Sequence, residues 1–183
     1  MTYKVGVIIG SLRAGSINRM LFEALKPLAA EAGMEFSEIA IRDLPLYNDD
    51  VLPNPPAAVV EYKKQLKAAD AVLYITPEYN RGVPAPIKNA IDWGSRPMGQ
   101  AENNGQISTV IGASMGALAT SIAQNHLRSS LLFLDNEIMR QPEVYLTIGQ
   151  GFFTEDGDIA NADTKEFLAG WAKAFAAFIE SHK

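Results

Sequence analysis

Three short stretches of the chain combine small, polar and charged residues in a way that suits ligand contact better than packing. The first is Gly10-Ser11-Leu12-Arg13-Ala14-Gly15-Ser16-Ile17-Asn18-Arg19, where an apolar run ends and a helical pattern begins. Free backbone N–H groups at a helix start attract anions. Ser11, Ser16 and Asn18 add donors, and Arg13 adds charge-assisted hydrogen bonds. A single phosphate suits this turn. The dinucleotide spacing Gly-x-Gly-x-x-Gly is missing, because Gly6, Gly10 and Gly15 are placed differently, and no Gly-Lys-Ser/Thr triplet occurs. An ordinary strand-to-helix turn capped by Ser16 or Asn18 has a similar composition. Arg13, at the first crossover, favours phosphate.

The second stretch, Thr76-Pro77-Glu78-Tyr79-Asn80-Arg81-Gly82-Val83-Pro84-Ala85-Pro86, holds three prolines and one glycine. A stiff loop of this kind can offer backbone amides to a flat heteroaromatic ring, with Tyr79 near its edge or face. Asn80 supplies a donor and an acceptor in one amide. Two other readings stay open: Asn80 fixes the turn, and Tyr79 covers the core. The helix start that follows favours negative charge on a reduced ring. Trp93 is assigned to helix packing.

The third stretch, Gly112-Ala113-Ser114-Met115-Gly116, matches the Gly-x-Ser-x-Gly nucleophile elbow in letters and in strand-to-helix placement. A serine hydrolase needs a base, and the chain has two histidines. His126 falls inside the following helix and His182 is the penultimate residue, so Ser114 has no evident partner and is a weak nucleophile. A turn of small residues that lets backbone or Ser114 approach the same flat ligand is the better reading.

These turns need a scaffold, and the chain supplies one. It has 183 residues, 48% of them hydrophobic and 20% charged, which suits one folded domain. The absence of cysteine excludes disulfides, thiolate metal sites and a cysteine nucleophile. A net charge of −5 argues against a protein that coats nucleic acid or an anionic membrane. No secretory signal or membrane span is legible near the start, so the cytoplasm is the expected location. Apolar runs at 5–9, 34–41, 71–75, 107–111 and 144–148 read as strands. Helical periodicity covers 17–32, 57–69, 84–93 and 118–132. A last helix follows Asp163 and Glu166, a capping box. Pro27 is expected to kink or split the first helix. Alternating strands and helices, with strands apolar throughout, mean a parallel sheet covered on both faces, whose ligands bind beyond the strand ends.

Together the turns resemble the NADPH-dependent FMN reductase family, which includes quinone, chromate and azo-dye reductases. Residues 10–18 are similar to that family's first loop. Thr76-Pro77-Glu78-Tyr79-Asn80, continued by Pro84 and by Lys88-Asn89-Ala90-Ile91-Asp92-Trp93, is similar to its second motif. The likeness runs from the first strand to at least Leu134; Pro27 departs from it.

The resemblance implies a flavodoxin-like α/β fold: a five-stranded parallel sheet in the order 2-1-3-4-5 with helices on both faces. It implies one domain over residues 1–183, binding FMN non-covalently. By that likeness Ser11, Arg13, Ser16 and Asn18 hold the phosphate, with Ile17 also among the cofactor contacts. Pro77, Glu78, Tyr79 and Asn80 line the isoalloxazine, as do Ser114, Met115 and Gly116. NADPH or NADH would be the donor, and quinones, azo dyes, chromate or free flavin the acceptors, with no catalytic side chain required.

Members form homodimers that pair into tetramers. Arg128 and Glu143 resemble charged residues that join subunits, although a solvated surface pair would look the same. The stretch 44–49 also resembles the family and is placed near a neighbouring subunit's pocket. The rival of another class is a flavodoxin-like electron carrier, for which −5 is a modest charge.

Overall fold

The computed structural model describes residues 2–183. Its strands are β1 (Tyr3–Ile9), β2 (Met34–Glu38), β3 (Ala71–Ile75), β4 (Ile107–Ser114), β5 (Glu137–Met139) and β6 (Tyr145–Thr147). Between and after them come helices α1 (Ile17–Glu31), α2 (Ala57–Ala68), α3 (Ala85–Gly94), α4 (Ser121–Phe133) and α5 (Ala162–Ser181). All strand pairs are parallel, in the order β2-β1-β3-β4-β5, with β6 on the far half of β4. This is the flavodoxin-like order.

Successive side chains of a strand point to opposite faces, and here each face has its own core. Val5, Val7, Leu73, Ile75 and Ile111 pack with α1 and α5. Ile8, Val72, Tyr74 and Val110 pack with α2, α3 and α4. That is why β1, β3 and β4 read as continuous apolar runs. The edge strand β2 does not: only Met34 is buried, Glu35, Ser37 and Glu38 are exposed, and pairing stops at Glu38.

The fold departs from the expected one at three places. The expected fifth strand, 144–148, is present as β6, and β5 before it is an additional strand, so the sheet has six. β5 pairs with Ile107 to Thr109 and β6 with Gly112 to Ser114. Residues 140–144 leave the sheet between them, and Pro142, lacking an N–H, could not donate to the ladder. Side chains of α4 fill the gap: Arg128 Nη2 donates to Val110 O (3.2 Å) and Gln124 Nε2 to Val144 O (2.8 Å). Arg128 also donates to Gln124 Oε1 (3.1 Å) and lies 4.0 Å from Glu143, whose carboxylate accepts from Tyr145 OH (2.7 Å).

Helix α1 runs unbroken through Pro27. Pro27 is exposed, so water can reach the carbonyl its ring deprives of a donor, while Leu25, Leu28 and Ala29 remain buried on the core side. Helix α5 is capped by Asn161, whose Oδ1 accepts from Thr164 N (2.8 Å); Asp163 lies in its first turn.

Three hydrogen bonds fix the segment that leads from β2 toward α2. Asn89 Nδ2 and Trp93 Nε1 both donate to Pro45 O (2.9 and 2.8 Å), and Tyr47 N donates to Asn89 Oδ1 (2.8 Å). These bonds lay the 44–50 segment on α3, with the fully buried Trp93 packed edge-on against Tyr47. At the opposite end of the sheet Asp70 accepts from Lys4 N (2.8 Å) and Lys183 Nζ (2.6 Å). Burial alone would raise the Asp70 pKa, but these bonds outweigh it and hold the carboxyl below its usual range.

A carboxyl held low in the folded state adds stability above its unfolded pKa of about 4, and that stability is lost as pH falls through the folded value. Asp70→Asn should therefore lower the unfolding free energy at pH 7 by about 1 kcal/mol or less, and leave it unchanged well below pH 4. Urea titrations of both proteins at the two pH values check this.

Candidate functional site

Strands β1, β3 and β4 are neighbours in register, so the turns after them emerge side by side. Together they line a cleft of about 410 Å³. Ser11, Arg13, Ile17 and Asn18 come from the first turn, and Pro77, Glu78 and Tyr79 from the second. Ala113, Ser114, Met115 and Gly116 come from the third. Ser16 and Asn80 are the two expected contacts that lie outside this lining. Two glycines permit the approach. A Cβ on Gly10 would sit 2.4 Å from Ile87 Cδ1, and one on Gly112 would sit 2.1 Å from Thr76 O. Gly112, the first glycine of the elbow-like pattern, thus serves close packing of β4 against the end of β3.

The first turn is rich in unsatisfied donors. Gly10 N closes the sheet by donating to Ile75 O (2.9 Å). Among the described residues the backbone N–H groups from Ser11 to Asn18 make no well-formed hydrogen bond within the protein, the 14–15 turn being only weakly closed. Ser11, Ser16 and Asn18 are nevertheless almost fully buried. Ser16 caps α1, its Oγ accepting from Arg19 N (3.2 Å), which leaves the hydroxyl proton to donate elsewhere. A run of largely free amides at a helix start is an anion site.

Three guanidiniums surround this turn. Arg13 Nη2 donates to Gly15 O (2.6 Å), and Arg42 Nη2 donates to Leu12 O (2.5 Å) from the segment after β2. Arg19 makes two hydrogen bonds to Glu38 (2.7 and 2.6 Å), which hold the Glu38 carboxyl below its usual range and raise the Arg19 pKa. Arg42 escaped the sequence reading, since a lone arginine 30 residues from the turn carries no local signal.

Asn18 has a different task from a free donor. Its Nδ2 donates to Ala113 O (3.0 Å) and its Oδ1 accepts from Ala113 N (2.9 Å). The side-chain amide copies the exchange a neighbouring strand would make, and ties the first turn to the end of β4. Glu78 makes the second tie. One carboxylate oxygen accepts from Ile122 N and Ala123 N, both at 3.0 Å, and so caps α4 from the opposite turn. Thr120, at the cap position, makes no side-chain cap bond; its Oγ1 accepts from Gln124 Nε2 (2.9 Å).

Tyr79 and Gly82 exchange backbone hydrogen bonds around Asn80 (φ 51°) and Arg81 (φ 61°), a tight turn with both central residues left-handed. Asn80 therefore fixes the turn. Tyr79 does not cover the core: it is 52% exposed, and with Met115, 76% exposed, it gives the cleft an apolar edge. Ser114 Oγ accepts from Gly116 N (2.9 Å). His126 is exposed on α4, while His182 stacks on Phe178 near Glu137, at the opposite end of the sheet. Neither histidine lines the cleft, so Ser114 has no base and the hydrolase reading fails. What remains is a cleft with a donor-rich turn and Arg13 at one end, Tyr79 and Met115 at its edge, and no histidine in its lining.

The chain is similar to known proteins over the same region. A family model described as NADPH-dependent FMN reductase matches residues 3–151. The 2-hydroxy-1,4-benzoquinone reductase of a Burkholderia species is 39% identical over 183 residues, 100% of both chains. The quinone reductase of Pseudomonas putida is 40% identical, covering 99% of this chain and 97% of its own. Among solved structures, FerB, a flavoenzyme NAD(P)H:(acceptor) oxidoreductase from Paracoccus denitrificans, matches with a TM-score of 0.94. It is 41% identical, with 99% of each chain covered.

If Asn18 joins two turns, Asn18→Ala leaves the buried N–H and C=O of Ala113 unpaired. The expected loss is about 2–3 kcal/mol in urea unfolding. Ser114→Ala, which removes one exposed acceptor, should cost less than about 1 kcal/mol.

Proposed function

The chain belongs to the NADPH-dependent FMN reductase family, and from that premise we propose how its cleft works. It is an FMN-dependent NAD(P)H oxidoreductase that reduces quinones or related small acceptors. Residues 1–183 act as one FMN-binding domain. The observation that carries this reading is the run of largely free amides from Ser11 to Asn18, beside Arg13, in a cleft edged by Tyr79 and Met115.

The donor set suits FMN. Main-chain N–H groups, the Ser11 and Ser16 hydroxyls and Arg13 would take a single phosphate. Pro77, Glu78, Tyr79 and the Ser114–Met115–Gly116 turn would flank the ring, with Asn80 shaping the loop. Asn18 would serve by positioning. FMN, when bound, supplies the redox chemistry, accepting hydride from a nicotinamide and delivering electrons to the acceptor. The protein's part is to bind, orient and shield. Ser114 accepts from Gly116 N with no histidine in the cleft lining to serve it as base, Glu78 caps α4, and solvent can deliver protons. Tyr79 and Met115 offer an apolar surface suited to flat acceptors such as quinones and azo compounds. NADPH and NADH, and chromate or free flavin as acceptors, share the same opening.

For assembly we read a homodimer that pairs into a tetramer through Arg128 and Glu143. Arg128 is largely buried by its contacts within the chain, and the Glu143 carboxylate, 40% exposed, is the outward end of that network. Glu143→Ala should then lower the solution mass measured by light scattering; an unchanged mass removes this surface from the assembly. Among the described residues no helix is long and apolar enough to cross a membrane; the cytoplasm is the proposed location.

The purified protein should be yellow and should bleach when NAD(P)H is added anaerobically without any other reductase. An electron carrier with no substrate of its own would keep its colour. Arg13→Ala should weaken FMN at least tenfold in equilibrium titrations, while the fully loaded variant reacts nearly as fast as the parent. Equal FMN affinity would remove Arg13 from the site.

A further inference from the structure

Glu78 is the one acidic residue lining the cleft among the described residues, and Arg13 the one basic residue. Their charges have different neighbours. Arg13 stands in a turn of donors, where an anion is welcome. The Glu78 carboxylate lies at the first turn of α4, where peptide dipoles add up to a partial positive charge of about half a unit.

A full carboxylate is more than that helix end needs. Two orphan N–H groups can be capped by a neutral oxygen, as serine, threonine and asparagine do at most helix starts. Ser16 and Asn161 do so here for α1 and α5. Thr120 stands at the cap position of α4 but is engaged with Gln124, and the task falls to an anion 44 residues earlier in the chain. A unit negative charge exceeds the half positive charge of the helix end, and Arg81 of the same turn lies outside the cleft lining, so Glu78 is the anion that the second turn presents to the cleft.

We propose that Glu78 sets the reduction potential of the flavin bound in this cleft. The inference rests on FMN occupying the site as described above. A fixed negative charge beside the ring opposes the negative charge that comes with added electrons. It therefore lowers the potential and makes the reduced cofactor a stronger donor to acceptors. Glu78 would act through its charge in the cleft lining and transfer no proton.

The test is the midpoint potential of the FMN-loaded protein for the parent, Glu78→Gln and Glu78→Asp. Gln keeps an oxygen able to accept from Ile122 N and Ala123 N but removes the charge. Asp keeps the charge but is one methylene too short to hold the cap. For Glu78→Gln the expected result is reduced FMN bound about tenfold more tightly relative to oxidised FMN, on the order expected for one charge at an effective dielectric near 20. For a two-electron couple that is about 30 mV upward. Glu78→Asp should lower the Tm and leave the potential close to the parent's.

An unchanged potential in Glu78→Gln overturns the proposal. So does an equal rise in both variants, which would trace the shift to loss of the cap. Parent protein that takes up no FMN in an equilibrium titration would overturn the assignment of the cleft itself, an outcome distinct from FMN bound at an unaltered potential.

Discussion

The side-chain amide of Asn18 standing in for a strand beside Ala113 is the contact on which the cleft depends. A parallel sheet brings its strand ends together, but it places no limit on the turns beyond them, which are free to splay once ladder pairing stops. Here the amide exchanges two hydrogen bonds with a residue 95 positions away. Glu78 then fastens the second turn to the helix after the third. Two polar side chains thus turn three separate connections into one walled space. Each bond is worth only about 1 kcal/mol net, yet leaving its partner buried and unpaired costs 1–3. The penalty for separation, more than the gain from contact, keeps the turns together.

The same device recurs wherever regular structure runs out. Arg128 and Gln124 occupy the gap where residues 140–144 leave the sheet. Asn89 and Trp93 hold the 44–50 segment through a single carbonyl, that of Pro45. In each case a long or amphipathic side chain carries a donor to a main-chain oxygen that secondary structure has abandoned. The first turn is the exception. Its amides are left largely without protein partners, and that contrast marks it as the place where something else completes the bonding.

Much of this was legible in the residues themselves. Strands covered on both faces show as unbroken apolar runs, so β1, β3 and β4 stood out, and the turns at their ends had compositions that packing alone does not require. What could not be read depended on distant neighbours. Pro27 is tolerated because it faces solvent on a helix whose other face is held by the core. Strands β5 and β6 stand apart because α4 carries side chains long enough to satisfy the gap. That Asn18 and Glu78, besides lining the cleft, tie its turns together could not be read, since a side chain's type does not reveal which backbone group lies across from it. The Gly-x-Ser-x-Gly letters misled for a similar reason: Gly112 answers to Thr76 O and Ser114 to Gly116 N, and no base is near.

One consequence of the first turn concerns how such a protein can change over generations. The grip on an anion is made mostly of peptide groups, and every amino acid except proline brings the same N–H. Drift at Leu12, Ala14 and Ile17 is therefore bounded by the loop's shape more than by its letters, while Asn18 is held by its bonds to Ala113. Gly10 has no such latitude, because a methyl group there would collide with Ile87. A binding pocket written in main-chain geometry is in this sense portable. The two facing turns can be rewritten while the main-chain donors of the first are kept.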